Sequence, residues 1–178
     1  MPSCYGEVEL RKLRKFIFYF SIFLLFLGIL IIIYLTRQTR EQTLWLSNAG
    51  ARAFSEFFPW HENQYWVMLK LNNPRKLIHV YQGFAFGVIV ETLVLTAPGK
   101  KVRIFLRSYL AVLICFYISF LDQLHKRFVP GREFDFADII RDAMGYFVSI
   151  TIVLIIALII KGIYKLCSII FLRRSVEE

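Results

Sequence analysis

Between Phe16 and Leu35 the chain runs for 20 residues without a charged side chain. A helix rising about 1.5 Å per residue crosses a hydrocarbon core of about 30 Å in that length. In lipid, a single segment satisfies its own backbone groups only as a helix. The stretch therefore fixes the solvent against which the rest of the sequence is read. Arg11, Lys12, Arg14 and Lys15 stand directly before it. It is longer than the apolar part of a secretory signal and no small-x-small cleavage site follows. A retained anchor with a cytoplasmic N-terminus is expected.

Three more apolar segments follow, over about 77–97, 104–121 and 138–160, the first of them ended by Pro98-Gly99. Hydrophobic residues make up 57% of the 178 and aromatic residues 17%, and nothing in that composition suggests a separate water-soluble domain. The formal net charge of +9 sits at the ends of the apolar runs and forms no single patch, so it reads as membrane topology and excludes nucleic acid as a partner. Lys100, Lys101 and Arg103 mark the second connection as cytoplasmic, and Lys161, Lys165, Arg173 and Arg174 do the same for the C-terminus.

The expected fold is all-α: a polytopic membrane protein of four transmembrane helices with both termini inside. It divides into a basic N-terminus (1–15), a four-helix membrane domain (16–160) and a basic C-terminal extension (161–178). The apolar residues of that extension either continue the fourth helix or lie along the inner surface. The connection from Thr36 to Arg75 carries Trp45, Phe54, Phe57, Phe58, Trp60, Tyr65 and Trp66, with Leu46, Ala49, Ala53 and Phe57 at helical spacing. It is expected to be an amphipathic segment lying in the headgroup layer, broken at Pro59. Cys4, Cys115 and Cys167 form neither a disulfide framework nor a CxxC pair.

Polar groups near the ends of these helices carry the functional signal, because they are expensive in lipid. His79 lies at the head of the second helix, Asp122 and His125 follow the third, and Asp138 and Asp142 open the fourth. Asp138, Asp142, Gly145 and Ser149 share one helix face, as do His79, Gly83 and Gly87. Stripes of small residues let helices approach closely, so the second and fourth helices are expected to pack together. Asp135 is placed to cap the fourth helix, with Asp138 in its first turn. Glu91, near the inner end of the second span, is expected to reach the interface.

Pro74-Arg75-Lys76-Leu77-Ile78-His79 followed by Gly87, and Asp122-Gln123-Leu124-His125 through Phe128-Val129-Pro130-Gly131-Arg132 to Asp138-x-x-x-Asp142-x-x-Gly145, resemble the two signatures of the VanZ-like family. The similarity covers roughly 20–155. It departs at Gln82 and Gln123, where the family pattern usually has Glu, and at Lys126, where it usually has Gln. Both Gln residues keep hydrogen-bonding capacity and lose charge. The resemblance implies a protein of the bacterial plasma membrane, associated with lowered susceptibility to teicoplanin and related lipid-bearing glycopeptides in Gram-positive bacteria.

The candidate binding site or polar network is thus His79, Gln82, Asp122, Gln123, His125, Arg132, Asp138 and Asp142. Three chemistries fit it. It could be a hydrogen-bonded lock between helices, with Arg132 pairing Asp138 or Asp142. It could be a site facing headgroups, with Arg132, Lys126, Arg127, Arg75 and Lys76 offering donors to a membrane lipid or a lipid-linked wall precursor. It could also be a zinc site on His79, His125 and Asp122 or Asp138, although no His-Glu-x-x-His pattern is present and no metal or cofactor is expected. Single Lys or Arg residues there also fit simple snorkelling to the interface. No Gly-x-Ser-x-Gly elbow or suitably placed cysteine supports nucleophilic catalysis; the competing class is a membrane enzyme acting on an envelope lipid or wall precursor, or a small membrane transporter. A reporter fused after Glu178 is expected to be active only in its cytoplasmic form; activity only outside the membrane would overturn this topology.

Overall fold

The computed structural model describes residues 4–38, 41, 42, 45, 49, 74–99 and 103–177. Four helices account for nearly all of them: α1 (Cys4–Thr36), α2 (Pro74–Thr96), α3 (Ile104–Lys126) and α4 (Phe136–Glu177). Each is long and apolar enough to cross a membrane, and there is no strand among the described residues. The chain is an all-helical, multi-pass membrane protein. The aromatic segment expected along the headgroup layer lies mostly outside the described residues.

At about 1.5 Å per residue, the 23 residues of α2 and of α3 each span about 35 Å, close to one bilayer. The 42 residues of α4 reach about 63 Å, so its last third projects beyond the hydrocarbon. The C-terminal extension is therefore a continuation of the fourth helix. The helices also run further than the charge pattern suggests. α3 includes Asp122 and His125, and α2 begins at Pro74, whose missing N–H suits a first helical position.

α2 is the hub of the bundle: it packs against all three other helices, most extensively against α4. Of the four spans it is the least hydropathic and the most buried. Its glycines explain the close contact. A Cβ on Gly83 would overlap the carbonyl of Asp142, and one on Gly87 would overlap Ser149 and the backbone of Tyr146. From the other side, a Cβ on Gly145 would run into the backbone of Val80 and Phe84. The two stripes thus meet backbone to backbone, as their spacing predicts. Below them Phe86, Val90, Val94, Ala111, Cys115, Tyr146 and Ile150 form the core, with Ile32 of α1. Gly28 of α1 makes room for the ring of Phe86.

One end of α2 is closed by arginines. Arg14 of α1 donates to the carbonyls of Thr96 (3.1 Å) and Ala97 (2.9 Å). Arg107 of α3 donates to those of Val94 (2.8 Å), Leu95 (3.1 Å) and Ala97 (3.2 Å). The last carbonyls of a helix have no partner within it, and a cation also suits the negative end of its dipole.

Replacing Gly145 with Val forces the α2 and α4 backbones apart and is expected to destabilise the protein by about 1–3 kcal/mol or more. Gly162→Ala, in open space within α4, is expected to stabilise the protein by up to about 1 kcal/mol. Unfolding midpoints of the purified protein in detergent check both.

Candidate functional site

At the opposite end from the arginine caps, the last turn of α1, the first turns of α2, the last turns of α3 and the start of α4 converge. Local sequence fixes each piece. Asp135 caps α4, its Oδ1 accepting from the backbone N–H of Ala137 at 2.9 Å. That start places Asp138 in the first turn and Asp142 one turn further, both facing α2. On α3, Asp122, Gln123 and Lys126 turn inward together, and all three are buried.

His79 stands at the centre. Its Nδ1 lies 3.1 Å from Asp142 Oδ1 and its Nε2 lies 3.1 Å from Asp138 Oδ2. Lys126 Nζ lies 3.1 Å from the same Asp138 oxygen, 3.6 Å from Asp122 Oδ2 and 3.5 Å from His79 Nε2. Arg141 pairs with the other oxygen of Asp138 and, at 3.6 Å, with Asp135. Gln123 is fully buried; its amide donates to Asp122 Oδ2 at 3.4 Å, and its carbonyl accepts from the backbone N–H of Asp135 at 3.4 Å. The hydroxyl of Thr36 lies 2.7 Å from both Asp122 Oδ1 and the carbonyl of Ile32, which ties α1 into the cluster. Ser119 stands beside Asp142.

Five of the eight residues singled out in the sequence, His79, Asp122, Gln123, Asp138 and Asp142, come together here. Gln82, His125 and Arg132 are half-buried around them, Gln82 on α2, His125 on α3 and Arg132 in the turn before α4. Neither Gln82 nor His125 bonds to the cluster. Lys126 does not snorkel. Only 3% of it is exposed, and it bridges two carboxylates. Arg141 and Thr36 are members that the motif reading passed over. The i, i+4 spacing of Asp122 and Lys126 and the i, i+3 spacing of Asp138 and Arg141 were the signals for these ion pairs.

Chemically, the arrangement is a charge lock. The carboxylates of Asp122, Asp138 and Asp142 face Lys126, Arg141 and the imidazole of His79. Both ring nitrogens of His79 face carboxylates, so neither is presented to a metal or to a substrate proton. Among the described residues no three His, Cys, Asp or Glu side chains are grouped so as to hold a metal ion. One acceptor is left over: Asp142 Oδ2 is buried and has no hydrogen-bond partner.

A second buried polar contact lies about one turn in from the arginine-capped end of α2. Glu91 does not reach the interface; it is fully buried, and Ser108 of α3 donates to its Oε1 at 2.5 Å. Packing of α3 against α2 covers this position, which a reading of α2 alone could not show.

A four-span bundle locked by buried charge at one end defines a multi-pass membrane protein organised around a polar end. Residues 13–158 match the VanZ/LLP1 family, and the chain belongs to it. The match takes in the charge lock and most of the membrane-crossing part of every helix. A search of curated proteins and a search of solved structures each returned no match.

Lys126→Met is expected to cost about 3–5 kcal/mol, because it leaves Asp122 and Asp138 buried without their shared cation. Adding Asp138→Asn is expected to recover part of that loss. A double-mutant cycle on unfolding free energies measures the coupling.

Proposed function

We propose that this protein works at the outer face of a bacterial plasma membrane, on lipid-linked or wall-associated material, and lowers the access of teicoplanin and related lipid-bearing glycopeptides. The observation that carries this reading is the one-sided placement of charge. The acid–base cluster gathers at a single end of the bundle, whereas the other end carries arginines spent on backbone carbonyls. In the orientation given by the basic connection at 100–103 and the basic C-terminus, the clustered end faces outward. Membership of the VanZ/LLP1 family supports the link to envelope defence.

The geometry favours binding or membrane remodelling over turnover. His79 is held on both sides by carboxylates, and among the described residues no serine, threonine or cysteine bonds to it. A buried acceptor without a donor, Asp142 Oδ2, is the atom at which a ligand hydroxyl or ammonium would add a hydrogen bond.

The test is teicoplanin susceptibility of a Gram-positive host expressing the wild-type chain or Asp142→Asn at matched membrane levels. Protection by the wild type and its loss in the variant are the expected outcome. Equal susceptibility with and without the wild-type protein would overturn the proposal.

A further inference from the structure

One residue past Thr36, whose hydroxyl touches the charge lock, a cavity of about 800 Å³ opens at the end of α1. It is lined by Tyr34, Arg37, Gln38, Glu41, Gln42 and Trp45. The volume falls within the range of small-molecule sites, about 300–1,000 Å³. Its position at the end of a membrane-crossing helix puts it at headgroup depth.

The lining selects among headgroups. Among the described residues that line it, Arg37 and Glu41 cancel in charge, so these residues do not favour a phosphate over a neutral group. Two amides, a carboxylate and a guanidinium are planar groups able to engage neighbouring hydroxyls in pairs. Tyr34 and Trp45 expose most of their surface, and such rings present a broad apolar face with a polar edge. The carbonyl oxygen of the Gln38 side chain is shielded from solvent and has no hydrogen-bond partner, so it lacks a donor that a hydroxyl would supply. Aromatic faces for the C–H side of a pyranose, planar polar groups for its hydroxyls and balanced charge among the described lining residues fit the recognition of a sugar.

We propose that this cavity binds a neutral hexopyranose, carried as the headgroup of a membrane glycolipid. This names the chemistry of the lipid-linked material in the proposed function and rests on that reading for its biological setting. Binding by purified protein is measured without reference to glycopeptides. A protein that binds sugar yet gives no protection would sink the proposed function alone; one that protects yet binds no sugar would sink this proposal alone.

The experiment places the full chain in nanodiscs doped with a diglycosyl diacylglycerol or with phosphatidylglycerol and reads bound lipid by native mass spectrometry. Saturable binding of the glycolipid, about tenfold tighter than phosphatidylglycerol, is expected. Trp45→Ala is expected to lose about tenfold, the scale of one lost ring contact. Phe128→Ala, which removes an exposed ring outside the cavity, is expected to leave binding unchanged. Tyr34→Leu serves as the second cavity variant. Competition by the free disaccharide would place recognition in the sugar alone, and its failure would place it in the sugar together with its lipid anchor; both outcomes support the proposal. Equal retention of phosphatidylglycerol, or glycolipid binding that survives both Trp45→Ala and Tyr34→Leu, would overturn it.

Discussion

The meeting of α2 and α4 without intervening side chains is the constraint on which the rest of this structure depends. In lipid there is little hydrophobic gain from joining two apolar helices, so association relies on close packing and interhelical hydrogen bonds. Gly83, Gly87 and Gly145 remove the atoms that would hold the backbones apart. That approach sets the rotation of both helices. It brings His79 between Asp138 and Asp142 at 3.1 Å on each side. The polar cluster is thus a consequence of where small residues lie, one to three turns further along the same faces.

Charge then fixes what packing has brought together. Buried ion pairs are weak contributors to net stability, because desolvation offsets most of their attraction, but an uncompensated member is costly. A network of shared partners is therefore sensitive to any single loss. Lys126 serves Asp122 and Asp138, Asp138 serves His79, Lys126 and Arg141, and Asp122 reaches Thr36. All four helices are tied at one end by this sharing. Gln123 fits it as an amide: it gives a hydrogen to Asp122 and takes one from a backbone N–H, and a carboxylate could not give the first.

Much of this was legible in the sequence. The four spans followed from uncharged runs, and the α2–α4 contact followed from two stripes of small residues. Asp135 was recognisable as a cap from its place before the apolar run. What escaped was the fate of charges whose partners lie on other helices. Lys126 and Glu91 each look like groups seeking water when their own helix is read alone. Both are buried, because α3 supplies Ser108 to Glu91 while α2 and α4 enclose Lys126. Arg14 reads as a topology signal, and its service to the carbonyls of α2, like that of Arg107, depends on an approach that periodicity does not encode.

The arginine caps at the end of α2 bear on how the protein is made. α2 is the span least able to enter lipid by its own apolarity, and its terminal carbonyls are met by guanidinium groups from the helices on either side of it in the chain. Arg14 precedes α2 during synthesis, whereas Arg107 follows it. When α2 emerges, only half of its cap exists, and the other half arrives with α3. The cap of α2 is therefore complete only once the first turn of α3 has been made, so the later helix finishes the end of the earlier one.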